Sequence, residues 1–298
     1  MLPKRIHPKA QIHENLTGYA VIAPALVFVI TFFILPLSVT FCKSFTDWNG
    51  VVTKFVGFEN YRRLFMEDIF WNSLFNNFLI LLSIPFQIIG GLVAALLLYQ
   101  QVVGWRFFRA VYYIPVIIAA IVAGYLFRTA FSLNGPINYI LTGMGLDPVE
   151  WLGNQFTGII VICIVLFWNN FGTAVLIFLA GLSAIHPAIF EASTIDGASW
   201  WKQFFHIVLP MLTRVIEFFS VTTIIWTFTG IFPFVYSITG GGPGYSTAPL
   251  DYYIYLKAFN SMTEIGYACA LAFILFIIVF FISRAQIALS ERADDWGE

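Results

Sequence analysis

Charge is what this chain has least of. Only 10% of its 298 residues are Asp, Glu, Lys or Arg, against about 25% in a soluble domain. That scarcity excludes an ordinary soluble fold. A content of 59% apolar and 18% aromatic residues points to a membrane protein. The net charge of −1 supplies no field that would select nucleic acid. Cysteine is equally sparse, with Cys42, Cys163 and Cys269 scattered in or beside apolar runs. Their odd number argues against a closed disulfide framework, and they read as small apolar packers. The four histidines, His7, His13, His186 and His206, have no metal-ligand spacing, so neither a metal nor a cofactor is expected. No Gly-Lys-Ser/Thr phosphate cradle exists, so the chain cannot hydrolyse ATP alone. No nucleophile–base spacing appears either, and no catalytic residue is expected.

What is present is a series of six apolar runs, at about 19–41, 78–99, 110–127, 158–182, 215–238 and 265–282. Each is long enough to cross a bilayer core. The first is too long for a signal-peptide core and lacks a small-residue cleavage site, so it reads as an uncleaved span that Pro24 and Pro36 bend. Small residues one turn apart, Gly90/Ala94, Gly91/Ala95, Ala119/Ala123 and Ala120/Gly124, permit close approach of neighbouring helices. Between the first two runs, Tyr61, Leu64, Phe65 and Ile69 form the apolar stripe of a helix lying at the membrane surface. Residues 131–156 read as a loop of turn residues, and Pro249–Phe259 as a short aromatic helix at the interface. With the N-terminus inside, inner segments carry nine Lys and Arg and outer segments six, which places both termini in the cytoplasm. Residues 1–18 are then a cytoplasmic segment, 19–284 the membrane domain and 285–298 a cytoplasmic tail.

A few polar residues interrupt the runs. Glu217 lies near the start of the fifth, three residues after Arg214, so it is either one half of a local pair or part of a transport path. Asn76, Asn77, Trp168, Asn169 and Asn170 are candidates for a polar path, with hydrogen bonding between helices as the alternative. Gly240-Gly241-Gly242-Pro243-Gly244 falls on the outer side and reads as a flexible connector or a surface beside such a path.

The stretch with most mixed charge between two apolar runs is 191–210, EASTIDGASWWKQFFHIVLP. Pro187 suits a first helical position and Gly197 the residue past a helix end. Ser199 suits the cap of a second helix over Trp200–Val208, whose apolar face is Trp200, Phe204, Ile207 and Val208. Two short helices with a glycine elbow are expected, with Pro210 starting the fifth span. This stretch resembles the EAA loop of ABC-importer permeases: Glu191-Ala192-Ser193, three residues, Gly197, nine residues, Ile207, one residue, Leu209-Pro210. It differs in having Ser193 where the family usually has Ala, and Ile185-His186 where it has Ile-Pro. The segments FVGFENYRRLF, FFRAVYYIPVIIAAIVAGYLFRTAF, LNGPINYIL, WNNFGTAVLIFLAGLSAI and TGGGP extend the resemblance to the permeases of carbohydrate importers of the maltose and glycerol-3-phosphate type, the last favouring the first of the two permeases.

The resemblance implies an all-α membrane protein with the six spans of the type I ABC importer permease fold and a cytoplasmic EAA coupling loop at 185–210. It implies a bacterial-type plasma (inner) membrane location. It also implies a heterodimer with a second permease, two ATPase subunits inside, and a sugar-binding protein outside. Glu191, Ala192, Ser193, Asp196, Gly197, Ile207 and Pro210 would couple to the ATPase. The competing readings are a secondary transporter or channel that uses Glu217 and the intramembrane asparagines, and, less well supported by the residues, a membrane-embedded enzyme.

Overall fold

In the computed structural model, the backbone is described for residues 8–260 and 264–294, and side chains for 18–260 and 264–286. The expected terminal segments 1–18 and 285–298 fall wholly or partly outside the described residues. The elements are α1 (Pro8–Val29), α2 (Leu35–Ser44), α3 (Glu59–Met66), α4 (Asp68–Leu81), α5 (Ser83–Tyr99), α6 (Trp105–Ile117), α7 (Ala120–Ala130), α8 (Pro136–Gly143), α9 (Gln155–Ser183), α10 (Pro187–Ile195), α11 (Trp200–Gln203), α12 (Leu209–Met211), α13 (Thr213–Thr229), α14 (Phe232–Ile238), α15 (Leu250–Tyr255) and α16 (Ile265–Asp294). The β structure among the described residues is an isolated antiparallel bridge, Thr46 to Phe55.

Four helices are long and apolar enough to cross a membrane: Gly18–Ser44, Asp68–Tyr99, Gln155–Ser183 and Ile265–Gln286. Two more units reach that length only as bent pairs, α6 with α7 at 96° and Trp200–Met211 with α13 at 61°. The run expected at 110–127 is therefore broken. Pro115 cannot donate to the preceding turn, α6 ends two residues later, and Ile118 and Ala119 are extended, with ψ of 128° and 134°. The run expected at 215–238 stops at Thr229, because Pro233 fits only the first turn of a new helix, α14. Pro210 does not open the fifth span. It sits inside α12, and the span begins at Thr213 beyond a bend at Leu212. The loop expected at 131–156 contains α8.

Two prolines leave a second signature. Ile30–Ile34 and Phe204–Val208 are wide turns in which Leu35 and Leu209 donate to the carbonyls of Ile30 and Phe204, five residues back. Pro36 and Pro210 follow immediately. A proline ring clashes with the carbonyl four residues before it, and one extra residue in the turn relieves the clash.

The spine is α9. Its Ala174 packs on Gly91 of α5, where an added Cβ would come within 2.6 Å of the Ala174 Cβ. Its Gly172 lies against the backbone of α6, and a Cβ there would be 2.3 Å from the Tyr112 carbonyl oxygen. One buried cluster surrounds Val161, Ile162, Val165 and Phe234 at the end where α9 begins. A second surrounds Phe178, Leu182, Val208 and Leu212 at the other end. A third joins α3, α4, α15 and α16 through Leu64, Phe70, Tyr253 and Leu271. Gly172→Val should force α6 away from α9 and cost about 1–3 kcal/mol. Melting of the purified protein in detergent should fall accordingly. Gly143→Ala, where nothing lies within 4 Å of the new Cβ, should melt like the wild type.

Candidate functional site

At the end of the bundle where α9 finishes, α10 and the Trp200–Met211 helix form a paired unit. His186 caps α10, its Nδ1 accepting from the Ala188 amide at 3.2 Å, and Pro187 occupies the first turn. Gly197 ends the turn with φ +73°, a conformation an L side chain strains to adopt. Ser199 Oγ accepts from the Lys202 amide at 3.5 Å, and Gln203 Nε2 donates to Thr194 Oγ at 3.0 Å, stapling the two helices. One side of the unit is packed: Ile185, Ser193, Val208 and Leu212 are buried. The other side is open. Glu191, Ala192, Asp196 and Gly197 are exposed, Ile195 is 85% exposed, and Ala188 lies uncovered on the same helix. Of the seven sequence-selected residues, Ser193 thus faces inward, Ile207 is half-buried in the wide turn, and Pro210 is exposed near the bend.

A cleft of about 330 Å³ runs between α9 and α13, lined by Asn170, Thr173, Ile177, Phe218, Thr222 and Trp226. Of the five sequence-selected polar-path residues, Asn170 alone lines it. Asn169 Nδ2 donates to the Pro115 carbonyl at 2.8 Å, joining the Ile118 amide (3.2 Å) on that oxygen at the end of α6. Trp168 packs on Phe127, ring centroids 5.1 Å apart. Glu217 is half-buried in the second turn of α13, on the side of the paired helices. Sequence reading missed Thr173, Thr222 and Trp226. The signal was Phe218, Thr222, Trp226 and Thr229, one helical turn apart within an apolar run.

Asn76 and Asn77 are fully buried at the opposite end. Asn76 Nδ2 donates to the carbonyls of Ser246 (2.7 Å) and Ala248 (3.0 Å), and its Oδ1 accepts from Gln155 at 2.9 Å. Asn77 donates to Thr227 O at 3.0 Å and accepts from the Leu250 amide at 2.9 Å. They clamp the glycine-rich segment and α15 on to the spans. The Asp251 carboxylate accepts from the amides of Phe232 (2.7 Å) and Tyr252 (2.8 Å), joining the starts of α14 and α15. Burial pushes its pKa up to about 7, against the pull of those amides. Beside it, Arg63 and Lys257 bridge Glu264 at 2.5 and 2.9 Å, and Lys257 reaches Glu67 at 3.8 Å. Tyr267 donates to Glu67 as well. No group of three or more His, Cys, Asp or Glu able to hold a metal occurs among the described residues.

The model of the family described as binding-protein-dependent transport system inner membrane component matches residues 73–292. The probable ABC transporter permease protein YurN of Bacillus subtilis (strain 168) is 34% identical over 287 residues, covering 92% of this chain and 96% of its own. The lactose transport system permease protein LacF of Rhizobium radiobacter is 30% identical over 280 residues, with 92% and 94% covered. The trehalose/maltose transport system permease protein MalF of Thermococcus litoralis is 33% identical over 279 residues, with 91% and 92% covered. A chain in the crystal structure of a bacterial alginate ABC transporter, in complex with an alginate pentasaccharide-bound periplasmic protein, superposes with a TM-score of 0.81 at 22% identity, over 95% of this chain and 96% of that one. At that identity the likeness is one of fold.

The ion cluster yields a pH dependence. Burial pushes Glu264 up, but hydrogen bonds and charge from Lys257 and Arg63 outweigh it and hold the carboxyl below its ordinary value of 4.5. A depressed carboxylate stabilises the fold fully above its unfolded pKa and loses that contribution as the pH falls through the folded value. The melting midpoint of the purified chain should therefore drop as the pH is lowered below about 4.5. Glu264→Gln should lower the midpoint at neutral pH by about 2–4 °C and flatten the acid slope.

Proposed function

The chain belongs to the family of binding-protein-dependent transport system inner membrane components, and from that premise we propose that it is one of two permeases through which an ATP-driven importer moves a carbohydrate. The relatives named for lactose and for trehalose and maltose support the sugar class. ATP hydrolysis belongs to a separate subunit, which the α10 unit engages from the cytoplasm. The observation that carries the reading is the two-sidedness of that unit. Its inner side is packed into the spans through Ser193, Val208 and Leu212, whereas Ala188, Ala192 and Ile195 make an open apolar strip beside the exposed Glu191. A small-residue strip admits a close partner, and the carboxylate offers it a charge-assisted hydrogen bond. A push there passes through the bend at Leu212 into α13, one wall of the cleft.

The cleft supports a second permease. Asn170 and Thr173, half-buried, and Thr222, exposed, line a cleft that the described residues leave open, and polar groups facing lipid are costly. A second permease closing over a water-filled path removes that cost. The span Gly18–Ser44, whose most apolar window has no buried residue, offers a further surface to a partner. A sugar-binding protein delivers the substrate at the outer end. A transporter driven by Glu217 and the asparagines fits less well, because Asn76, Asn77 and Asn169 are occupied with backbone groups.

Two measurements test this reading. In the reconstituted complex, Glu191→Ala should cut ATP-driven sugar uptake at least about tenfold, the loss expected for one charge-assisted hydrogen bond of about 1.5–3 kcal/mol, and Gly197→Val should cut it too, because a side chain strains the elbow at φ +73°. Abundance in the membrane should be unchanged, and normal uptake by both variants would refute coupling through α10. The second measurement concerns topology. Single cysteines at the exposed positions Tyr245 and Asp196, in a cysteine-free background, should label from opposite sides of the membrane. Labelling of both from outside would overturn the orientation.

A further inference from the structure

The helix assigned above to the ATPase, α10, begins on a histidine side chain. His186 stands at its N-cap with φ −66° and ψ 128°, and its Nδ1 accepts from the Ala188 amide at 3.2 Å. The first amides of a helix have no partner within it. Pro187 has no N–H to satisfy, and the ring nitrogen takes the amide after it. The His186 carbonyl accepts from the Ile189 amide at 3.0 Å and completes the turn.

A ring nitrogen accepts a hydrogen bond only while it carries no proton. In this cap Nδ1 is therefore bare and the ring neutral. Protonation removes the bond and leaves a positive charge at the end of the helix where the backbone dipole is already positive. Imidazole changes charge within the pH range of a cell interior. Serine and asparagine caps have no such change. The other histidine of the unit supplies a contrast. His206 Nδ1 meets the Lys202 carbonyl at 3.1 Å, a bond in which the ring nitrogen donates, so protonation preserves it.

Charge around the cap is sparse. α10 packs on the end of α5, where Tyr99 lies 5.9 Å from Phe190, and on the paired helix, where Gln203 donates to Thr194. The titratable groups on those elements are Tyr99, Lys202 and His206, and those of α10 itself are Glu191 and Asp196. The last three turns of α9, which lead into the cap, carry none. The His186 ring is exposed, and its hydrogen bond is to the Ala188 amide rather than to any of these groups. The far end of α10 is fixed by the buried Ser193 and by the Gln203–Thr194 bond. Loss of the cap therefore acts on the first turn, which carries Ala188 and leads into Glu191.

We propose that His186 is a protonation-sensitive cap, which loosens the first turn of α10 and weakens the ATPase contact when the cytoplasm acidifies. The neutral ring holds the turn, so coupling is full at the higher pH and falls as the pH falls. This inference rests on the importer reading and adds regulation to its coupling step.

The test uses the complete transporter complex in lipid nanodiscs. The rise in ATP hydrolysis on saturation with sugar-loaded binding protein is measured at about pH 7.5 and about pH 5.5, either side of the range in which histidine titrates. For each protein the rise at the lower pH is divided by its own rise at the higher, and pH effects on the partner subunits are common to all variants. His186→Asn caps without titrating. His186→Pro fits the observed φ and ψ and has no titrating group. The wild-type ratio should lie about fivefold below that of both variants, the change expected from losing a cap and placing a cation at the helix start. His206→Gln should keep the wild-type ratio. Equal ratios in the wild type and either His186 variant, or a ratio raised by His206→Gln, would overturn the switch. If a His186 variant gives no response at the higher pH, hydrogen exchange in the wild type decides. Protection of the Ala188 amide, corrected for the intrinsic rate, should fall about fivefold between the two pH values, and unchanged protection overturns the proposal. A wild type that never responds to loaded binding protein fails the importer reading itself, whereas a response with no difference from the variants fails the switch alone.

Discussion

The constraint on which this structure depends is that a backbone group freed inside a membrane has no water to turn to. Two of the spans of this chain are broken, and side chains bind backbone groups at several of the helix ends that result. Asn169 joins the Ile118 amide on the Pro115 carbonyl where α6 ends. Asn77 holds a Thr227 carbonyl near the end of α13 and the first amide of α15 together. Asp251 takes the first amide of α14 and that of its own neighbour, Tyr252. Removing one such partner leaves a buried polar group unpaired, which costs about 1–3 kcal/mol. Asn76, Asn77 and Asn169 therefore tie the ends of a discontinuous helical frame together, whereas Asn170 lines the cleft.

That frame divides the molecule into a rigid part and an open one. α5 and α6 are held to α9 at glycines that let backbones nearly touch. The opposite side of α9, with α13, is left uncovered and carries Asn170, Thr173, Thr222 and Trp226. The polar side chains there close none of the breaks, and Thr222 donates within its own helix to the Phe218 carbonyl. α9 and α13 form opposite walls of the cleft, and Leu212 at the bend and Phe219 of α13 pack into the same buried cluster as α5 and α9.

The α10 unit sits at that bend. Proline shapes its approach: Pro187 starts α10, and Pro210 drives the wide turn at Phe204–Val208 and precedes the break. A wide turn stores one extra residue in the helix, and such turns recur at functional sites. The same device before Pro36 falls in the uncovered first span. At the far end, ion pairs among Arg63, Lys257, Glu67 and Glu264 fasten the first loop to the start of α16.

The sequence by itself determined the local elements. Hydrophobic run length located the apolar helices, and the order Pro187, Gly197, Ser199 specified two short helices with a left-handed elbow between them. The spacing from Glu191 to Pro210 was enough to identify the family, because all its parts lie within 20 residues of one another. Small residues one turn apart marked the close contacts of α5 and α7, since lipid leaves helices little else to associate by. Only the tertiary structure decided where the spans break and what the intramembrane amides do. Pro115 announced a disturbance in its helix, but not the 96° bend that follows it, nor that Asn169, 54 residues away, donates to its carbonyl. Asn77 and Leu250 are separated by 173 residues, and no periodicity within a run records a hydrogen bond over that distance. The same holds for the cleft, whose residues are unremarkable on their own helices. They come together only because packing sets faces of separate helices side by side.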